Sequence, residues 1–358
     1  MNIDALDDIF KSNNYIVKIR EIMMGSKLRW GILGTGRINR ALIPPLQQFS
    51  RRNELTSVAS RSLDHAREYA HERNIPRAFG SYEEMLADPD IDVIYNSLPN
   101  HLHAEWTIRA CQAGKHVLCE KPITLSVQEL DQIEEAAQKA GVFVTEAFMY
   151  RHHPQTLAVL DFIRAGKLGQ VKVVKGQFSF TLERPSDFRK VPEYGGGSVW
   201  DVGCYPISYS RAVTGMIPSE VFAWQVLSQT GVDEVFTAQM RYANGMIAQF
   251  VSGFALPYNV GFEIQGTLGT LKIPHPWKPQ PGDCAIFVHE KGDQEEPLSV
   301  EPKDIYLGEV EDLADAILEG KTPRISLQES RENIATIRAL VESAQFAQPV
   351  KITSPSNR

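Results

Sequence analysis

From residue 28 to residue 146 the chain repeats a single pattern, a short apolar run, a turn and an amphipathic helix, and this most restricts its fold. The spacing predicts strands at residues 28–33, 55–59, 91–96, 116–119 and 142–146. Helices are predicted at 38–49, 63–73, 81–87, 103–113 and 126–140, with Pro44 and Pro45 kinking or splitting the first. Strands alternating with helices run parallel, because parallel neighbours need a crossover connection. The expected fold class is α/β, with a doubly wound parallel sheet in this half.

The grammar changes near Tyr150. One helix is predicted at 154–165, then strands at 171–181, 220–228, 236–242, 246–254, 259–265 and 269–273. Ala243-Asn244-Gly245 is a hairpin signal, so these strands are expected in an open, mostly antiparallel sheet, closed by helices at 306–319 and 327–345. The expected division is an N-terminal extension at 1–27, a first domain at 28–149, a second α/β domain at 150–345 and a tail at 346–358. The extension has early acidic residues and no apolar run, which is wrong for a secretory signal. It reads as a frayed arm. Ile16, Ile19, Ile22 and Met23 fall at helical spacing, which leaves a helix docked on a partner subunit as the alternative.

Composition removes several classes of function. The formal net charge is −7 and no Lys/Arg cluster is present, so a nucleic-acid partner is disfavoured. No apolar run approaches the roughly 18 residues of a membrane span. Cys111, Cys119, Cys204 and Cys284 share no CxxC spacing, so no zinc or disulfide framework is expected and the cytoplasm is the default compartment. His101, His103, His152 and His153 lack a carboxylate or cysteine at zinc spacing, so no metal is expected. Cys119 and Cys204 read as small packing residues.

Gly31-Ile-Leu-Gly34-Thr35-Gly36-Arg37-Ile38-Asn39 lies between the first strand and the first helix, where a dinucleotide fingerprint belongs. Gly34 allows the tight turn, and Gly36 lets a pyrophosphate approach the helix N-terminus. Asn39 replaces the third glycine of the pattern. NAD-binding folds carry an acidic residue roughly 20 residues further on, at the end of the second strand. Here Ser60-Arg61 follows that strand. A carboxylate would repel a 2′-phosphate, whereas a hydroxyl and a guanidinium bind one, so NADP is the expected cofactor and NAD the alternative.

Hydride chemistry at a carbinol carbon also needs a group that takes or gives the hydroxyl proton. Glu120-Lys121-Pro122 ends a strand at the carboxyl edge, where ligands bind in such sheets. A second segment, Gly195-Gly196-Gly197-Ser-Val-Trp200-Asp201-Val-Gly-Cys204-Tyr205, punctuates the second half. Asp201 and Tyr205 are four apart and share one face of a helix.

With WGILGTGRI, VASRS, YNSLPNHLHAEW, AGKHVLCEKPIT, EAFMYRHHP, GGGSVWDVGCYPIS and EIQGTLGTL in this order over residues 30–271, the chain resembles the glucose–fructose oxidoreductase / inositol dehydrogenase / rhizopine-catabolism (Gfo/Idh/MocA) family. The resemblance implies a nucleotide domain and an antiparallel α/β domain whose sheet mediates a homodimer or homotetramer. It gives Lys121 the reacting oxygen and the nicotinamide ribose. Many members carry DxGxH, with histidine as acid/base; Asp201-Val-Gly-Cys-Tyr205 instead resembles the branch of glucose–fructose oxidoreductase, dimeric dihydrodiol dehydrogenases and NADP-dependent xylose dehydrogenases. There the tyrosine handles the proton, so Tyr205 is the expected acid/base, its phenol pKa lowered by Lys121. Leu98, Pro99, Asn100, His103 and Glu120 are expected cofactor contacts. Arg151, Trp200 and Asp201 are expected near substrate, Arg151 beside the nicotinamide or the substrate itself. Related proteins often carry a cis Lys121–Pro122 bond, and here cis and trans stay open. The implied activity is NADP-dependent hydride transfer on a sugar or related cyclic alcohol. Alternatives are a trans-dihydrodiol dehydrogenase, a non-catalytic NADP-binding regulator and a redox-neutral, NAD-dependent glycoside hydrolase.

Overall fold

The first-half strands are β1 (Leu28–Leu33), β2 (Asn53–Ala59), β3 (Arg77–Phe79), β4 (Val93–Asn96), β5 (His116–Glu120) and β6 (Val144–Ala147) in a computed structural model that describes residues 27–184, 186–292 and 294–352. The helix foreseen around Ile16–Met23 lies outside the described residues. The six strands form one parallel sheet in the order β3-β2-β1-β4-β5-β6. Every residue of β4, β5 and β6 is buried, which explains their continuous apolar runs: helices cover both faces. β3 has only three residues, all half-buried, too few for a periodic signal.

The crossover helices are α1 (Asn39–Pro44), α2 (Leu63–Glu72), α3 (Tyr82–Leu86), α4 (Asn100–Gln112) and α5 (Val127–Ala140). Pro45 supplies no N–H, and α1 passes there into a π-helical turn, Pro45–Phe49, the split expected from the paired prolines. α5 has a reciprocal cap in which Glu129 N–H donates to Ser126 Oγ (3.2 Å) and Ser126 N–H donates to Glu129 Oε2 (3.1 Å).

The second half contributes α6 (Pro154–Arg164), β7 (Val171–Thr181), α7 (Cys204–Thr214), β8 (Glu220–Leu227), β9 (Asp233–Arg241), β10 (Ile247–Gly253), β11 (Ala255–Gly266), β12 (Gly269–Ile273), β13 (Ala285–His289), β14 (Glu295–Leu298), α8 (Leu307–Glu319), α9 (Leu327–Phe346) and β15 (Val350–Lys351). Its nine strands run β14-β13-β12-β11-β7-β10-β9-β8-β15. All pairs are antiparallel except β7 with β10 at the centre. β15 falls where the sequence places a tail, and instead Val350 pairs with Val221 on β8.

α7 and α9 cover one face of this sheet. α9 also returns to the first half, where Arg331 bonds Asp131 (3.0 Å) and Ser330 Oγ donates to Glu146 Oε2 (2.6 Å). This brackets the carboxyl end of β5 between the two halves, facing the segment that leads into α7.

Candidate active site

The cofactor residues foreseen from sequence lie in the turns after four adjacent strands. Gly34–Ile38 follows β1, Ser60–Arg61 follows β2, Leu98–Asn100 follows β4, and Glu120 closes β5 just before Lys121. β1 lies between β2 and β4, the point where strand order reverses and such sheets bind nucleotides. Gly34 sits at φ +88°, and a Cβ there would stand 3.0 Å from Leu98 Cδ2. Asn39, in place of the third glycine, is fully buried and its Nδ2 donates to the Gly34 carbonyl at 3.0 Å. The side chain thereby pins the turn. Arg37 and Arg61 are exposed, Ser60 Oγ lies 3.4 Å from His65 Nδ1, and no carboxylate ends β2. These residues fit a dinucleotide with a 2′-phosphate.

Lys121 meets the second half directly. Its Nζ donates to Asp201 Oδ1 at 2.8 Å and to the Asp201 carbonyl at 2.7 Å. The other carboxylate oxygen, Oδ2, accepts from Arg189 Nε at 2.7 Å. Arg189 is held by the glycine run: Gly197 N–H donates to its carbonyl at 3.0 Å, and a Cβ on Gly196 would come within 2.5 Å of that oxygen. Asp201 itself stands in a π-helical turn, Val199–Gly203, that feeds α7. Burial works against both ions, yet Lys121 and Arg189 hold the Asp201 carboxyl well below its usual range. In turn, burial opposes the Lys121 charge most, but Asp201 together with Cys204 and Glu120 raises the ammonium pKa. The Lys121–Pro122 peptide is cis.

Tyr205, 5% exposed, lies in an aromatic box made by Phe148, Tyr150, Phe178 and Trp277, with ring centroids 5.4–5.7 Å away. Lys121 Nζ stands 5.1 Å from its ring centroid, and its hydroxyl donates to Met149 Sδ at 3.9 Å. The structure thus brings together the amine and the phenol that lie 84 positions apart, at 121 and 205. Trp277 went unnoticed in the sequence, where nothing marks a lone tryptophan after the last foreseen strand. Arg189 was likewise missed, because its role depends on the folding back of residues 189–197.

The Oxidoreductase family model, NAD-binding Rossmann fold, matches residues 28–148, and the GFO/IDH/MocA C-terminal domain model matches residues 156–272. The chain belongs to the Gfo/Idh/MocA oxidoreductase family. It is therefore an NAD(P)-dependent oxidoreductase. It is 37% identical to a D-xylose 1-dehydrogenase (NADP(+)) of Haloferax volcanii, over 91% of this chain and 100% of that protein. It is 34% identical to a trans-1,2-dihydrobenzene-1,2-diol dehydrogenase of Xenopus laevis, over 86% and 95%. A solved tyrosine-to-phenylalanine variant of KijD10, a 3-ketoreductase from Actinomadura kijaniata in complex with TDP-benzene and NADP, superposes with a TM-score of 0.83 at 28% identity, over 89% and 98%.

Several residues expected at the cofactor or the substrate have protein partners of their own. Arg151 is 5% exposed and its guanidinium is committed to Glu329 on α9 and to Ser208 Oγ (3.2 Å), contacts within the second half. His103 forms a clasp: its ring nitrogens lie 2.8 Å from the Pro122 carbonyl and 2.6 Å from the Leu98 carbonyl. Burial pushes its pKa down to about 4. Asn100 Nδ2 donates to the Gly195 carbonyl (3.0 Å), joining the nucleotide loop to the glycine run. Glu120 accepts from the Tyr95 hydroxyl (2.5 Å) and from Lys121 N–H (3.3 Å). Trp200 is built into the same apolar core as Tyr205.

The expected lowering of the Tyr205 pKa is also corrected. Burial, joined by Tyr306, Cys204, Glu120 and Asp201, pushes the phenol well above its ordinary value. The ammonium lies over the ring face and its charge is answered by Asp201. Cys119 and Cys204 are buried, and burial raises both thiols, as packing residues should show.

Asp201→Asn removes the charge that keeps Lys121 protonated. Burial then dominates, and the basic limb of the kcat/KM profile should move about 1 pH unit or more toward acid. A limb that stays in place would show that Asp201 does not set the charge on Lys121.

Proposed function

We propose that this chain is an NADP-dependent oxidoreductase acting on a carbinol or carbonyl carbon of a sugar, with Lys121 and Tyr205 handling the proton. The observation that carries the reading is the Lys121 ammonium over the Tyr205 ring, beside the nucleotide turns. Gly34, Thr35, Gly36, Arg37 and Ile38 would hold the pyrophosphate, Ser60 and Arg61 the 2′-phosphate, and Leu98 and Pro99 the nicotinamide end. When bound, the nicotinamide gives or takes the hydride at the reacting carbon.

The chain's own residues supply the proton side. Lys121 spends two ammonium hydrogens on Asp201, and the third is left for the reacting oxygen. The buried Tyr205 phenol keeps its proton at neutral pH, the state that donates to a carbonyl oxygen during reduction. Asp201 orients Lys121 and fixes its charge. A sugar is supported by the relative that acts on D-xylose. A trans-diol of a ring is the second reading, supported by the dihydrodiol dehydrogenase relative. Solved variants of the 3-ketoreductase alter a tyrosine and a lysine, the two residue types paired here.

The open face of the nine-stranded sheet carries Trp224 (58% exposed), Val226 (54%) and Ile247 (44%), and it supports a homodimer or homotetramer through that face. No helix among the described residues is long and apolar enough to cross a membrane, and the four cysteines are free thiols, which accords with a cytoplasmic setting.

A spectrophotometric screen at 340 nm with aldoses, ketosugars and trans-dihydrodiols tests the activity. Tyr205→Phe and Lys121→Met should each lower turnover by about 10²–10⁴-fold while NADP binding persists; full activity in either variant refutes the pair. Arg61→Ala should raise KM for NADP far more than for NAD, and equal effects would remove the 2′-phosphate role. Sedimentation should show an oligomer that Trp224→Glu with Val226→Glu reduces to monomer; a monomeric parent protein would sink the interface.

A further inference from the structure

The helix that carries Asp201 and Tyr205 starts inside the second half and runs without a break from Ser198 through the π-helical turn into α7. The first N–H groups of any helix lack partners within it, and Ser198 makes no side-chain cap bond to them. Their partner comes from β9, 34 positions further along the chain. Asp233, 6% exposed at the start of that strand, accepts on Oδ2 from Val199 N–H at 3.0 Å and from Ser198 Oγ at 2.5 Å. Ser198 Oγ also lies 2.9 Å from Ser252 Oγ on β10. With the Ser198 hydrogen given to Asp233, Ser252 is the donor there, and the start of the helix is tied to two strands of the sheet.

Two glycines make room for this anchor. Gly197 stands at φ +114°, and a Cβ there would run into Asp233 Oδ1. A Cβ on Gly203 would stand 3.2 Å from both Ser252 Oγ and Phe250 Cε2. An anion at this point also answers the positive end of the helix. Burial pushes the Asp233 carboxyl up to about 6 against the pull of its bonds to Ser198 and Val199, which leaves the anion dominant in neutral solution. Asp201 follows two residues after Val199, and its N–H donates to the Gly197 carbonyl at 3.3 Å. The anchored turn therefore sets where Asp201 stands.

We propose that Asp233 is a positioning residue for the site: by holding the start of this helix it fixes where Asp201 meets the Lys121 ammonium. This deepens the oxidoreductase reading and rests on it for the part that Lys121 plays in the reaction. Lys121 Nζ keeps its two bonds only while the Asp201 carbonyl and carboxylate stay 2.7 Å and 2.8 Å away. A turn released at Ser198 and Val199 can shift, and a displacement of about 1 Å takes such bonds beyond hydrogen-bond reach. Among Asp201, Cys204 and Glu120, which raise the Lys121 pKa, Asp201 counts most, so its displacement lets burial lower that pKa.

The test reads Lys121 directly, by trace acetylation of the full-length protein with acetic anhydride across pH and peptide mass spectrometry, so it needs no substrate. Asp233→Ala should raise Lys121 labelling at pH 8 about 10-fold, a shift of about one pH unit in its midpoint. Asp201→Asn should do the same, and the double variant should do no more than Asp201→Asn alone. Asp233→Asn loses the charge but keeps an acceptor for Val199 N–H, and it should restore most of the parent labelling. Should Asp233→Ala fail to fold, Ser198→Ala carries the test, with a smaller rise in the same direction. Parent-like labelling in the variant that carries the test overturns the proposal, even where the melting temperature falls, because Asp233 is then a structural residue only. Full additivity with Asp201→Asn, or an Asn variant as reactive as the Ala variant, overturns it as well. Turnover of a sugar with unmoved labelling would leave the oxidoreductase reading standing and sink this one; the expected labelling without turnover of any sugar would do the reverse.

Discussion

The structure depends on one buried charge pair, Lys121 with Asp201, that crosses from one half of the chain to the other. Both side chains are only 12% exposed. Removing such charges from water costs several kcal/mol per ion, and their attraction compensates only when geometry is good and the remaining polar atoms are satisfied. Both conditions hold here. Lys121 bonds the carboxylate and the carbonyl of the same residue, and Arg189 takes the remaining carboxylate oxygen. Lys121 Nζ makes both of its bonds to the second half, so the pair sets how the parallel sheet and the second domain face each other.

The surrounding architecture reads as support for that contact. The glycine run closes tightly enough for Arg189 to reach Asp201, and Asn100 ties the same run to the start of α4. His103 bridges the loop after β4 to the carbonyl of Pro122, which limits the freedom of the turn that carries Lys121. Behind the site, Glu146 with Ser330 joins α9 to the nucleotide half, and Arg151 with Glu329 anchors α9 just past the boundary. A site shared by two domains needs such cross-links, because misplacing reacting groups by about 1 Å is costly.

The parts of this arrangement legible in the sequence are those with local signals. The parallel sheet announces itself by buried apolar runs between capped helices, and Gly34 by the turn it alone permits. Lys121 and Tyr205 were found because each stands in a recognisable string of residues. Short or edge elements carry no such signal: β3 has three residues, and β15 only two. Long-range pairing is equally silent. Arg151 follows a strand at the carboxyl edge, which reads as a ligand contact, but its partner Glu329 lies 178 positions away. The resemblance makes Asn100 and His103 cofactor contacts, but their bonds to the Gly195, Pro122 and Leu98 carbonyls have no local sequence signal.

The direction of proton movement follows from the conflict between burial and charge at Tyr205. The aromatic box that positions the phenol also removes it from water, and Glu120 and Asp201 nearby add to the cost of ionising it. Lys121 could offset this only with an unanswered charge, and Asp201 has already claimed that charge. The same carboxylate that fixes the amine thus keeps the phenol protonated. On the function proposed above, such a site would offer two proton donors to a reacting oxygen, the protonation state that carbonyl reduction needs.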